Sequence, residues 1–116
     1  MTHAHRIHFE DDSIHEGSLL SAGLRVGNLI YISGQVAVNE NRVIVGVGDF
    51  VAQVHQMFAN INWILEAGGS SLAKVVHTTT YVTDIETARK DWLGLKKQYF
   101  SSLYAAGTFV DGETIA

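Results

Sequence analysis

Ser33, Gly34 and Gln35 interrupt an otherwise apolar stretch that runs from Leu29 to Val38. A glycine lets a ligand approach the backbone closely. Ser33 brings a hydroxyl that donates and accepts, and Gln35 brings an amide. The same run also reads as a small-residue bulge with two satisfied polar side chains. His3, His5 and His8 share an N-terminal arm. Three histidines can hold Zn²⁺, but an arm with nothing behind it to orient the rings is a poor metal site, and no metal is expected. His77 falls in phase with Val75 and Thr79 on a β-branched stretch. It reads as a base, as a neutral ligand contact, or as a plain strand residue. Gly46-Val47-Gly48-Asp49 lacks the third glycine of a dinucleotide fingerprint.

The elements that must position these residues come from a chain of 116 residues, the size of one domain over 1–116. It is 47% hydrophobic and 17% charged, enough for one core and too apolar for disorder. Net charge is −4 and the eight Lys and Arg are scattered, so no basic stripe offers itself to nucleic acid. No apolar run reaches the roughly 18–20 residues that span a bilayer. The first dozen residues lack the cationic and then apolar pattern of a secretory signal. Without cysteine there is no disulfide framework and no thiolate chemistry. The expected compartment is the cytoplasm. Average usage would supply about six prolines, and there are none, so the turns rest on Gly, Asn, Asp and Ser.

Residues 19–26 read as a first strand, Gly27-Asn28 as a tight turn, and 29–38 as the second strand of a hairpin. A turn, a short strand and a glycine loop follow. Asp49 can cap a helix on which Phe50, Val54, Met57, Phe58, Ile61 and Leu65 form one stripe, ending at Gly68-Gly69. Residues 73–82 predict a strand. A second helix is predicted over 86–103, with Ala88, Trp92, Leu95 and Tyr99 on one face, and a last strand over 107–116. Two helices over one mixed sheet make an α+β sandwich of two layers. Such a layout leaves one sheet face uncovered. Strand 29–38 is apolar on both sides, with Ile30 and Ile32 one way and Leu29 and Tyr31 the other. Another copy of the chain is the expected cover. Trp63, opposite the apolar stripe of its helix, reads either as part of that contact or as a lone exposed aromatic.

The stretch from Arg25 to Val38 resembles the strand–turn–strand signature of the Rid family, the reactive intermediate deaminases, also called the YjgF group. Gly48-Asp49, Gln53, Asn60-Ile61 and Ala67-Gly68 are similar to its helix pattern. Ser71-Leu72, Val75-Val76, Thr78-Thr79, Val82 and Asp84 are similar to its next strand. The likeness runs in order from Ser21 to Asp84 and fades in the second helix, where Tyr99-Phe100 is the main match. The resemblance implies a chorismate-mutase-like fold, a homotrimer with pockets at the subunit interfaces, and hydrolysis of imines and enamines without a metal or cofactor. It also implies that Ser33, Gly34 and Gln35 line the pocket. Glu113, in a segment similar to the family's carboxylate-bearing last strand, is the implied acid/base; a solvated glutamate is the alternative.

The departures fall on that pocket. Leu19-Leu20 stand where active deaminases carry a Pro-Tyr pair, which puts Leu20 in the pocket wall. Ala106 stands where they carry the Arg that grips a substrate carboxylate, and no Arg follows Arg89. Standard 2-imino-acid deamination is therefore not expected. A hydrolase for another small imine, enamine or labile metabolite is the leading expectation. A non-catalytic metabolite-binding module on the same scaffold is the alternative, and a ribonuclease role suits the acidic surface poorly.

Overall fold

The computed structural model describes residues 3–7, 21–100 and 106–111. Five strands and two helices follow in the order β1 (Ala4–Arg6), β2 (Gly23–Val26), β3 (Leu29–Ile32), α1 (Phe50–Ala67), β4 (His77–Val82), α2 (Ile85–Tyr99) and β5 (Ala106–Asp111). The strands form two sheets, an antiparallel β1-β2-β3 and a parallel β4-β5. The α+β class and the two helices on one side are as expected, and among the described residues β3 and β4 do not pair with each other. Among the described residues no helix is long and apolar enough to cross a membrane.

Gly27, at φ 58°, makes the tight β2–β3 turn that Gly27-Asn28 predicts. Residues 19–26 read as the first strand, yet Ala4–Arg6 form a strand before them and pair with Val26–Leu24. The anchor is Ile7, buried against Ala22 and Ile64, and an edge strand tolerates polar side chains on both faces.

The strand expected over 29–38 stops at Ile32. Its polar residues turn to local partners instead of extending the ladder. The Ser33 hydroxyl donates to the Ser21 carbonyl, and Gln35 Nε2 donates to the Ser33 carbonyl at 3.1 Å. The short strand expected next is reduced to one bridge, Val38 to Ile44. Asn39 Oδ1 holds that bend by accepting from the N–H groups of Asn41 and Val43.

Asp49 caps α1 through a bond from the Ala52 N–H at 3.1 Å. The predicted stripe holds at Val54, Phe58 and Leu65, but α1 also buries Ile64. Ile64 lies beside the stripe because α1 serves two sheets: Val54 and Phe58 face β4-β5, and Ile64 meets Ile7 and Ala22 under β1-β2-β3. The strand expected from residue 73 begins later, because Leu72–Lys74 form a single 3₁₀ turn before β4.

Helix α2 buries Ala88, Trp92 and Leu95 as its spacing predicts, and ends at Tyr99. Phe58 is the hinge pin of the core. Its ring stacks on Tyr99 at 4.2 Å and Trp92 at 6.0 Å, and meets the edge of Phe100 at 5.5 Å. Tyr99 also bonds His55 Nδ1 through its hydroxyl, tying α2 to α1, and burial pushes the Tyr99 phenol up from its ordinary value.

The cap of α2 carries a pH prediction. Asp84 accepts from the Thr87 hydroxyl at 2.9 Å and the Thr87 N–H at 3.2 Å. These bonds hold its carboxyl below the usual value. A carboxyl depressed in the folded state contributes stability above its unfolded pKa, and that contribution is lost as pH falls through the folded pKa. The cap should therefore persist through pH 5 and fail only in stronger acid. The Thr87 amide shift, followed by NMR, should titrate below the midpoint of a free aspartate, and Asp84→Asn should abolish that titration.

Candidate functional site

Among the described residues, β3 and β4 flank a cleft of about 930 Å³. All of β3 borders it on one side, and Val76 through Thr80 border it on the other. The floor is the apolar face of the helices: Met57, Phe58, Ile61 and Leu65 from α1, with Trp92 from α2. Gly34 and Gln35 line the cleft as well. A Cβ built on Gly34 would meet nothing within 4 Å, so packing leaves room there for a larger residue.

The cleft is positively lined in an acidic protein. Arg25 and Lys74 border it, as does His77, and no Asp or Glu does among the described residues. Arg25 is fixed by a bond from its Nη1 to the Gly68 carbonyl at 2.8 Å, at the end of α1. Sequence reasoning passed over both cations. Lys74 sits in a stretch that reads as strand, and only its 3₁₀ turn brings it to the cleft. Arg25, a lone cation in an apolar strand, was the available signal.

The other expected site residues fall as follows. Ser33 does not line the cleft, and its hydroxyl is engaged by the Ser21 carbonyl. Ala106 opens β5, on the far side of β4 from the cleft. It pairs in register with His77, and its N–H donates to the Val76 carbonyl at 3.0 Å. Leu20 and Glu113 lie outside the described residues, as does His8. Among the described residues no three His, Asp or Glu side chains gather where they could hold a metal ion.

The sheet faces away from the helices carry large apolar groups. Leu29 is 56% exposed, Tyr31 61% and Tyr81 59%, whereas Ile30 and Ile32 turn inward onto Ile64. The sidedness of β3 is the one its alternation predicts.

The segment that carries Gly34 and Gln35 is positioned from α1. Asn60 Nδ2 donates to the Val36 and Val38 carbonyls at 3.1 and 2.9 Å, and its Oδ1 accepts from Gln56 at 2.8 Å. Asn60→Ala leaves those carbonyls without their partner. It should cost about 1–3 kcal/mol by denaturant unfolding and raise amide exchange over residues 34–38.

Residues 13–110 match the family model described as Endoribonuclease L-PSP. The match covers most of the chain, and its relatives carry the Rid, RutC and YjgF names. The chain belongs to this family. The Rid-family similarity extends to a RutC family protein of Escherichia coli, YjgH. The two are 33% identical over 82 residues, which is 71% of this chain and 61% of that protein. A 2-iminobutanoate/2-iminopropanoate deaminase of the same organism is 38% identical over 63 residues, 54% of this chain and 48% of that one. Among solved structures, the Rid family protein YyfA of Yersinia pestis superposes with a TM-score of 0.85 over 97% of this chain and 89% of its own. At 23% identity that likeness speaks to the fold alone. The fold is the chorismate-mutase-like α+β sandwich of the Rid family. The chain spans 55% to 61% of the length of several curated relatives it matches.

Proposed function

We propose that this chain hydrolyses a small imine or enamine to a carbonyl compound and ammonia, in a cleft completed by neighbouring copies in a homotrimer. The observation that carries the proposal is Gly34, which opens backbone to the cleft at a point where packing does not call for a glycine. The deaminase name of one Rid relative supports the reaction class. The exposed apolar groups Leu29, Tyr31 and Tyr81 support a partner copy over the sheet.

The chemistry asks little of the protein. Water adds to the protonated C=N carbon and gives a carbinolamine. A proton moves from the new hydroxyl to the nitrogen. The C–N bond then breaks, leaving C=O and ammonia. The site must hold the substrate, place the water and carry that proton. Glu113 is the proposed proton carrier. Lys74 and Arg25 are the cations available to an anionic substrate group.

A second reading rests on one observation. Among the described residues no carboxylate lines the cleft and the Ser33 hydroxyl is already bonded, which suits a metabolite-binding module without turnover. Two measurements separate the readings. Light scattering should give about three times 12.7 kDa. Ammonia release should then be scored over a panel of small imines, including ones without a carboxylate. Turnover that Gly34→Leu abolishes, with melting temperature retained, supports the enzyme. Saturable binding without ammonia supports the module.

A further inference from the structure

We infer that Trp92, Phe58, Tyr99 and His55 form a relay that carries one-electron oxidation from the core out to the α1–α2 surface. This goes beyond the hydrolase reading and does not rest on it. The argument starts from four rings. Phe109, Trp92, Phe58 and Tyr99 follow one another in a near-parallel series. Their centroids are 5.5, 6.0 and 4.2 Å apart, at interplanar angles of 12°, 17° and 14°. Close packing alone does not demand such a series, because aromatic pairs settle as readily edge to face. Phe100 meets Phe58 that way, at 79°. Trp92 and Tyr99 are the oxidisable members, with Phe58 between them. The two spacings place them within about 10 Å of each other.

The two ends differ in what they can do with a proton. Trp92 is 7% exposed and belongs to the larger core cluster. Tyr99 is half-buried, and burial raises its phenol pKa, so the ring holds its proton at neutral pH. A phenol becomes a strong acid as it loses an electron, and the electron leaves only if the proton finds a base. The Tyr99 hydroxyl bonds Nδ1 of His55. An imidazole is such a base near neutral pH, and His55 is exposed on α1, where its ring can pass the proton to water. A bond that merely ties α2 to α1 would be served by any acceptor. This one joins the oxidisable end of the ring series to a proton carrier.

The steps balance. A diffusing radical oxidant takes one electron from Trp92 and becomes its anion, leaving the indole as a radical cation. Tyr99 returns an electron to Trp92 through Phe58, and the phenolic proton passes to His55 Nδ1. Trp92 is restored, Tyr99 is a neutral phenoxyl radical and His55 is an imidazolium. The direction is downhill, because a phenol that loses its proton with its electron is more easily oxidised than an indole. A one-electron reductant of the ascorbate class then returns the electron to Tyr99, and His55 returns the proton. The relay protects packing. Oxygen added to Trp92 would place a polar group against Val54, Phe58 and Leu95 in the core.

The probe is the azidyl radical, made by pulse radiolysis in a solution of the Trp63→Phe protein, where Trp92 is the only tryptophan left. Indolyl absorption should decay as phenoxyl absorption rises, in a first-order step whose rate does not change with protein concentration. Tyr99→Phe keeps the stacked ring without the hydroxyl and should abolish that step. Tyr31→Phe, Tyr81→Phe and Tyr104→Phe should leave it unchanged. His55→Gln keeps a hydrogen-bond acceptor but no base, and should slow the step about a hundredfold, which loss of a structural tie alone would not do. Under a steady flux of oxidant with ascorbate present, mass spectrometry should find Trp92 intact in the Trp63→Phe protein and oxygenated once Tyr99→Phe is added. Three results would overturn the inference: an indolyl signal that is absent or that decays at a rate set by protein concentration, a step that survives Tyr99→Phe, or a His55→Gln protein as fast as its parent. His55→Gln, at an exposed position, keeps the test decisive if Tyr99→Phe does not fold. Turnover is not read, so this inference and the hydrolase reading fail separately.

Discussion

Phe58→Ala should remove a large share of this protein's stability. Phe58 is buried at the centre of the larger core cluster, where its ring touches Tyr99, Trp92 and Phe100 together. Removing a buried aromatic ring costs about 3–5 kcal/mol, against a total of about 5–15 kcal/mol for an ordinary domain. Phe58 and Trp92 also floor the cleft between the two sheets, so the void left by the ring would open into an existing space. Urea unfolding followed by tryptophan fluorescence should show the midpoint shift. Phe58→Leu, which retains most of the apolar volume, should recover more than half of it. A loss below about 1 kcal/mol would mean that the core is organised elsewhere.

Ala106→Arg should raise 2-iminopropanoate deamination well above a weak parental rate. Ala106 opens β5 beside His77, its register partner, and is exposed there. An arginine at this point projects on the outward face with β4 between it and the cleft, so its long side chain must reach over His77 to meet the substrate. A charge-assisted contact to the substrate carboxylate contributes on the order of 1.5–3 kcal/mol. Realised in the transition state, it means about ten- to a hundredfold in kcat/KM. Lysine should do less, because it lacks the flat two-pronged donor. Gly107→Arg is a poor control for register, because a Cβ there would lie 2.9 Å from Thr78 Oγ1 and 3.2 Å from the Thr78 carbonyl. Thr108→Arg, two residues on and on the same face, is the better one. A folded Ala106→Arg protein no faster than its parent would show that the carboxylate is held from another place, with Lys74 the first candidate.

The fold was legible wherever one periodicity ruled a segment. The stripe Val54, Phe58, Leu65 and the face Ala88, Trp92, Leu95 are buried on the two helices, with Ile64 the one buried group that the spacing missed, because each lies against a continuous apolar surface. The Gly27-Asn28 hairpin was legible because only a few residues accept its positive φ. The short strands were harder. β1 consists of Ala4, His5 and Arg6, with no alternation to read, and is held by its neighbour Ile7. β3 reads six residues longer than the ladder that forms, because Asn60 takes Val36 and Val38 for α1. Of the candidate site, Gly34 and Gln35 were legible as polar breaks in an apolar run, and both line the cleft. Arg25 and Lys74 were not, since only tertiary structure brings a β2 residue and a 3₁₀ turn to one space. The pairing order of the described strands was also hidden, because whether two strands are neighbours is not written in either of them.

The central claim is that small imines are hydrolysed in a cleft completed by assembly. Its most direct test is ammonia release measured on size-fractionated protein, for the parent and for Tyr81→Glu. Tyr81 is 59% exposed on the outward face of β4 and does not line the cleft, so a charge there should block assembly with little effect on the fold of one chain. The account predicts a trimeric, active parent and a folded, monomeric variant with at least a tenfold lower rate. Equal turnover by monomer and trimer, or a trimer that binds small imines and releases no ammonia from any of them, would contradict it.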